Sequence, residues 1–158
     1  MAGFPATIMP STPRVTVFVA ASPGGIAAAA DGLVRFQADH GMDPEAAWPV
    51  HVALDEILSN IVRHGGPQGR EPVIEVSFAA VAAGLEVTIV DDGPRFDPLS
   101  LPEPDLTSSL EERQPGGLGI HLVKRLMDRV VYARRGGRNH LVITYRARPS
   151  DPPGLGRD

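Results

Sequence analysis

Cysteine is absent from the sequence. Its absence excludes disulfide bonds, zinc–thiolate sites, iron–sulfur clusters and cysteine nucleophiles. A chain without cysteine is compatible with a reducing compartment, and we predict a cytoplasmic location. The rest of the composition is that of a globular protein, because 158 residues with 42% hydrophobic side chains are enough for one domain with its own core.

An excess of positive charge is also absent, because the formal net charge is −4. Direct binding to nucleic acid is therefore not expected, and a protein partner or a small ligand fits the composition better. The basic turn formed by Arg134, Arg135 and Arg138 is predicted to be solvated. The histidines show no metal-ligand spacing, and for His64 and His121, near predicted helix ends, we predict structural or surface roles.

No apolar run is long enough to cross a bilayer, which requires about 20 residues. The only candidate for a membrane or export segment is Val15–Val34, which carries no charge before Asp31 and is divided by the turn signal at residues 22–25. We interpret it as a strand, a turn and a helix, and we predict no membrane association. A signal peptide is the alternative, since a short apolar run followed by alanines is typical of one.

Both ends of the chain are rich in proline and small polar residues. This composition predicts flexible tails at residues 1–13 and 149–158. The folded part is then a single domain at residues 14–148.

Apolar residues recur at helical spacing in three segments. The first helix is predicted to end at Gly41. The second is predicted to begin at Asp43–Pro44, although Pro49 should kink or restart it, and to stop at Gly65. The third opens at Leu118.

Alternating apolar and polar residues predict the strands. They are expected at Val15–Val19, Ile74–Phe78, Leu85–Ile89, Val130–Ala133 and Leu141–Tyr145. Together with the helices they predict an α+β fold: a two-layer sandwich with helices on one face of a mostly antiparallel sheet.

The first candidate motif lies on the second helix, where Glu56 and Asn60 are four residues apart. This spacing places both side chains on one helix face. A carboxylate and a carboxamide one turn apart can orient a hydroxyl group and hold a hard cation through oxygen. The alternative is an ordinary solvated helix face.

The second motif, Asp91–Gly93, follows a predicted strand. Counting the alternation from Leu85 places Asp91 on the buried face, where a carboxylate needs a hydrogen-bond donor. The exocyclic amino group of adenine would be such a donor. The alternative is an Asp–Gly turn in which Asp91 binds the backbone.

The third motif is the glycine-rich segment Gly116–Gly119, which opens the third helix. Glycines permit close backbone approach to phosphate oxygens, and a helix N-terminus offers free N–H groups. The long segment before it, from about Pro98 to Pro115, is predicted to be a mobile lid. A plain loop-to-helix junction is the alternative.

In this order, the three motifs resemble the GHKL superfamily, whose ATPase (Bergerat) fold is shared by histidine kinases, some chaperones and anti-sigma kinases. The residues that match its N, G1 and G2 boxes are, in chain order, Glu56 and Asn60, Asp91 and Gly93, and Gly117 and Gly119. The resemblance covers nearly all of the predicted folded part.

Within the superfamily, Leu54–Gly65 and Gly117–Asp128 look most like stretches of the anti-sigma-factor serine/threonine kinases. Sensor histidine kinases resemble the chain less, because they need a dimerisation helix pair with the phospho-accepting histidine, and we expect no room for one in Met1–Arg14. The chaperone and mismatch-repair ATPases of the superfamily are much longer.

The resemblance implies an ATP/ADP site that works with Mg²⁺. It implies that Asn60 coordinates the metal, that Glu56 orients or deprotonates the attacking hydroxyl, and that Asp91 reads adenine. The residues implied to line the nucleotide or to face the lid are Gly93, Arg95, Arg113, Gly117, Leu118 and Gly119.

Three features depart from the superfamily pattern. Arg95 stands where a second glycine is common, Asn139 stands where many relatives have threonine near adenine, and the G2 glycines are closely spaced. Arg113 is implied as a contact to the γ-phosphate from within the lid.

The family also implies partners. These are a STAS-type anti-anti-sigma protein as phosphoacceptor, a sigma factor as the sequestered target, and a second copy of the chain in a homodimer. Two alternatives remain: a nucleotide-sensing module that binds a partner without phosphotransfer, and a histidine-kinase catalytic domain acting in trans.

Overall fold

The computed structural model describes residues 13–66, 70–82, 84–105, 107 and 118–147. Nine elements follow one another along this part of the chain. They are β1 (Arg14–Ala20), α1 (Pro23–Asp39), α2 (Trp48–His64), β2 (Val73–Val81), β3 (Gly84–Asp91), a 3-10 turn (Pro98–Ser100), α3 (Leu118–Leu126), β4 (Arg129–Arg135) and β5 (Arg138–Arg146). The segment from Val15 to Val34 is a strand, a turn and a helix, as predicted.

The five strands form one sheet in the order β1-β2-β3-β5-β4. All four neighbouring pairs are antiparallel. The predicted α+β class with an antiparallel sheet is confirmed. Each predicted strand is present and longer than predicted, because ladder hydrogen bonds also include polar residues such as Arg129 and Arg138 at strand ends.

Side-chain parity across the sheet separates a buried face from an outer face. The register aligns Val76, Ile89 and Leu141 across β2, β3 and β5, and all three side chains are buried. They form one core with the apolar faces of the helices. Because this face of the sheet packs against the helices, a side chain that points to it from the end of β3 lies inside the protein.

The start of α2 differs from the prediction. Residues from Asp43 onward form a turn, in which Asp43 Oδ1 accepts from the backbone N–H of Glu45 at 3.0 Å, and the helix begins at Trp48. Pro49 occupies the first turn of α2, where its missing N–H costs no helix hydrogen bond. The predicted start at Asp43–Pro44 was wrong, and the restart at Pro49 is confirmed.

The helices α1 and α2 end next to the predicted glycines. Gly41 has φ +62° just after α1, and Gly65 has φ +70° at the end of α2, a left-handed region that glycine enters without strain. The tails predicted at 1–13 and 149–158 lie outside the described residues, apart from Pro13. Among the helices of the described part, none has the length and apolar character that a bilayer crossing requires.

Candidate functional site

A cavity opens between α2, the end of β3, the start of α3 and the strands β4 and β5. The apolar part of its wall includes Ile57, Ile61, Ile89, Phe96, Ile120 and Leu141. The polar part includes Asn60, His64, Asp91, Tyr132 and Asn139. A mainly apolar cavity with a few convergent polar groups suits a flat ligand with a polar edge.

Asp91 lies in the wall of this cavity, and only 6% of its surface is exposed. Its position opposite Ile74 in the sheet confirms the predicted parity. Oδ1 accepts from the backbone N–H of Gly93 at 2.9 Å and from Nδ2 of Asn139 at 3.0 Å. The Asp–Gly turn considered as an alternative is therefore present, but it uses one carboxylate oxygen and leaves Oδ2 for the cavity.

The next residue, Asp92, serves a different purpose. Its carboxylate accepts from Nη2 of Arg70 at 2.6 Å and from the backbone N–H of Val73 at 2.9 Å. The hydrogen bond from Arg70, helped by that from Val73, holds the pKa of Asp92 below its usual value. Asp92 is thus a paired surface carboxylate that joins β3 to the start of β2, and Asp91 alone faces the cavity.

Gly93 is buried where the chain leaves β3. A Cβ atom at this position would lie 2.8 Å from Oδ1 of Asp91 and 3.1 Å from the carbonyl oxygen of Gly65. Only a residue without a side chain permits this approach to the end of α2. The predicted G1 glycine therefore packs against Asp91 and Gly65, two residues of the cavity wall.

Glu56 reaches across to the start of α3. A Cβ atom built on Gly119 would overlap Oε2 of Glu56 and lie 2.9 Å from its Cδ. The carboxylate therefore occupies the space that a side chain at position 119 would need. A helix N-terminus is a favourable place for a carboxylate, so the structure joins the predicted N-box acid to a predicted G2 glycine.

We predict that Gly119→Ala slows the phosphotransfer that the family resemblance implies by about 10–100-fold, because a reacting group misplaced by 1 Å can cost about 100-fold. The methyl group pushes the end of a flexible side chain, and alanine is favoured over glycine in helices by about 0.5–1 kcal/mol. The melting temperature should therefore not fall.

Gly24→Ala is the matched control for this exchange. Gly24 is likewise the second residue of its helix, and the nearest atom to its built Cβ is Oγ of Ser22 at 3.8 Å. Parallel measurements of melting temperature and transfer rate would contradict the prediction if the two variants behaved alike.

Asn60 faces the cavity one turn after Glu56. Its Oδ1 accepts from Nη1 of Arg63 at 3.2 Å. Within the described part of the chain, no three His, Asp or Glu side chains group closely enough to hold a metal ion. A single carboxamide oxygen fits Mg²⁺ that arrives with nucleotide phosphates, because Mg²⁺ commonly takes one or two protein oxygens and completes its shell with phosphate and water.

The remaining predicted site residues have varied positions. Leu118 is 52% exposed at the first position of α3, and Arg95 is exposed after the turn at Gly93. Arg113 and Gly117 lie outside the described residues, as does half of the predicted lid. The root of that lid is described: Pro98 is buried, and the carbonyl oxygen of Leu99 accepts from Nζ of Lys124 on α3 at 3.5 Å.

Two histidines predicted to have structural or surface roles have specific contacts. His64 lines the cavity and lies against Phe96, with ring centroids 4.1 Å apart. His121 Nδ1 is 3.2 Å from Oε2 of Glu103. The contact between His64 and Phe96 could not be predicted from the position of His64 at a helix end, because the two residues are distant in sequence.

Arg134 was predicted to be solvated with the basic turn, and this was wrong. Its Nη1 donates to Oδ1 of Asn139 and to the carbonyl oxygen of Gly93, both at 2.9 Å. Tyr132, two residues earlier on β4, donates its hydroxyl to the same Oδ1 at 2.8 Å. Strand alternation counted from Val130 places both side chains on the inner face, so the sequence does carry a signal for this position.

Comparison with known proteins identifies the family. The sequence pattern of the histidine kinase-like ATPase domain matches residues 19–145. The chain belongs to this family. The match includes all the elements that surround the cavity, so the predicted nucleotide-binding GHKL fold is confirmed.

Similar histidine kinase-like ATPases are named as protein kinases. Serine/threonine-protein kinase BtrW of Bordetella bronchiseptica is 36% identical over 98 residues, which are 62% of this chain and 69% of that protein. Serine-protein kinase RsbW of Bacillus subtilis is 28% identical over 91 residues, or 54% of this chain and 56% of that protein. RsbW of Listeria monocytogenes is 26% identical over 121 residues, which are 74% of this chain and 77% of that protein. The family predicted from the sequence, the anti-sigma-factor serine/threonine kinases, is confirmed at this level, and with it the enzyme class.

A solved structure shows the same histidine kinase-like ATPase fold. It contains the RsbU and RsbW domains of Rv1364c from Mycobacterium tuberculosis, with a TM-score of 0.60 and 18% identity. The similarity covers 87% of this chain and 34% of that one. This chain thus corresponds in fold to about a third of the larger protein.

Proposed function

We propose that this protein transfers the γ-phosphate of ATP to a serine or threonine of a STAS-type anti-anti-sigma protein and otherwise sequesters a sigma factor. In this proposal it acts in the cytoplasm as a homodimer, with Mg²⁺ and without direct contact to nucleic acid or membrane. The position of Glu56 against Gly119, one helical turn from Asn60 at the cavity, is the observation that carries the proposal.

The cavity is proposed to hold adenine. Ile89 and Leu141 contribute apolar surface for a planar ring. Oδ2 of Asp91 supplies the acceptor for the exocyclic amino group, because Oδ1 is already engaged by two N–H donors. The predicted contacts from Gly93, Leu118 and Gly119 place the phosphates toward the N-terminus of α3, where helix N–H groups favour anions. Arg95, Arg113 and Gly117 are proposed to complete the nucleotide site from the lid side.

Glu56 is proposed as the catalytic base. The acceptor hydroxyl loses its proton to the Glu56 carboxylate as its oxygen forms a bond to the γ-phosphorus. The bond from that phosphorus to the β–γ bridging oxygen breaks, and ADP leaves. Asn60 would hold Mg²⁺ through Oδ1, and the metal would neutralise phosphate charge. The carboxamide oxygen has two lone pairs, so it can accept from Arg63 at the same time.

A phosphotransfer assay tests the proposal. The protein is incubated with labelled ATP, Mg²⁺ and a STAS protein encoded near its gene, and we expect acid-stable label on that protein. Tight ATP binding without label would favour the partner-binding module. Acid-labile label would favour a histidine kinase acting in trans, and either result would overturn the serine/threonine kinase proposal.

A further inference from the structure

A buried polar cluster lies beside the cavity, around Asn139 on β5. Asn139 is 6% exposed and faces Asp91 across the β3–β5 ladder and Arg134 across the β4–β5 ladder. Its carboxamide thus touches two neighbouring strands at once. A buried group of this kind needs all its hydrogen-bonding capacity satisfied.

The Asn139 carboxamide meets that requirement in full. Nδ2 donates to Oδ1 of Asp91 at 3.0 Å and to the carbonyl oxygen of Pro94 at 2.9 Å. Oδ1 accepts from the hydroxyl of Tyr132, from Nη1 of Arg134 and, more weakly, from the backbone N–H of Phe96 at 3.4 Å. The orientation of the amide follows from chemistry, because its nitrogen faces only acceptors and its oxygen only donors.

These contacts determine what Asp91 presents to a ligand. The two donors that touch Asp91, the N–H of Gly93 and Nδ2 of Asn139, both bind Oδ1. The donors next to them, on Tyr132 and Arg134, are directed to Asn139 and to the carbonyl oxygen of Gly93. This part of the cavity wall therefore offers an acceptor, Oδ2 of Asp91, while the Tyr132 hydroxyl and Nη1 of Arg134 are already engaged.

We propose that Asn139 is a specificity-determining positioning residue, which keeps the wall around Asp91 acceptor-only so that the cavity takes a 6-aminopurine nucleotide and rejects a 6-oxopurine. The inference rests on the proposed nucleotide-binding function. An amino group at C6 donates to Oδ2. An oxo group at C6 would place an acceptor against an acceptor, and its N1–H could reach Asp91 only if the whole base shifted within the cavity.

The experiment compares ATP with ITP, which carries oxygen in place of the amino group, by calorimetric titration of the full chain with Mg²⁺. We expect the wild type to prefer ATP by about 100-fold, since a site that hydrogen-bonds a ligand group discriminates strongly against its replacement. Asn139→Ala frees Tyr132 and Arg134 to donate toward the base. We expect its preference to fall by at least about 10-fold, mostly through weaker ATP binding.

Asn139→Asp keeps the shape of the side chain and the acceptor for Tyr132 and Arg134. It therefore tests the same prediction if the alanine variant does not fold. The substitution removes the donor to Asp91 and brings two carboxylates together, so one of them takes up a proton. The resulting carboxyl O–H can donate a hydrogen bond to an oxo group. Its preference should fall by a similar factor. Thr144→Ala, on the outer face of the same strand, is the control and should keep the wild-type preference.

Different results would contradict the nucleotide-binding function and the role of Asn139. A wild type that binds neither nucleotide would overturn the proposed nucleotide function itself. Equal binding of ATP and ITP by the wild type would leave that function standing and overturn the acceptor-only wall. A preserved preference in Asn139→Asp, or equal weakening of both nucleotides in the variants, would show a merely structural role for Asn139.

Discussion

Glu56→Gln should slow phosphotransfer to a serine acceptor by at least about 100-fold, since general bases commonly contribute about 10²–10⁴-fold. The side chain keeps its length, so it still fits beside Gly119. A carboxamide cannot take the proton of the acceptor hydroxyl. ATP affinity should remain at the wild-type value, because the base contacts the hydroxyl and not the nucleotide. Single-turnover transfer and equilibrium ATP binding would measure the two quantities separately.

Asp55→Asn is the control for this variant. Asp55 is exposed on the same helix, and loss of its charge should leave both transfer and binding unchanged. Transfer by Glu56→Gln at the wild-type rate would exclude Glu56 as the base. A parallel loss of ATP binding would instead indicate that Glu56 supports the nucleotide site.

Asp91→Asn should weaken ATP binding by about 10–100-fold, because a hydrogen bond to a charged acceptor contributes about 1.5–3 kcal/mol. The new carboxamide replaces the charged acceptor that faces the cavity. Its N–H groups can face an oxo group, so GTP should lose less affinity than ATP. Competition between the two nucleotides for one labelled ATP analogue measures the ratio directly.

Asp92→Asn is the neighbouring control. Asp92 is paired with Arg70 away from the cavity, so its neutralisation should not alter the ratio of ATP to GTP affinity. Equal wild-type affinity for ATP and GTP would contradict the adenine-reading role of Asp91 before any variant is made.

Features set by local periodicity were predictable from the sequence. The parity of β3 placed Asp91 on the buried face, and the spacing of Glu56 and Asn60 placed them on one face of α2. Both inferences use only the repeat of a strand or a helix. The start of α2 was less predictable, because Asp43–Pro44 and Trp48–Pro49 both carry helix-start signals, and the choice between them depends on packing.

Features that depend on contacts between distant segments were not predictable in this way. The hydrogen bonds of Asn139 to Tyr132 and Arg134 require the β4–β5 pairing, and those to Asp91 and Pro94 require the β3–β5 pairing. The bond between Arg63 and Asn60 lies within one helix, but sequence alone does not show that Arg63 turns toward it. The basic composition of the turn predicted that Arg134 is a solvated surface charge. The register of the sheet instead places its side chain against Asn139.

The contact between Glu56 and Gly119 has a consequence for how such proteins diverge. While the long carboxylate of Glu56 occupies the space beside it, position 119 cannot hold a side chain unless Glu56 moves. A descendant that lost the acid would be released from this one constraint at position 119. Positions 56 and 119 should therefore change together among relatives. A chain that has neither the glutamate nor the glycine should bind nucleotide without phosphotransfer.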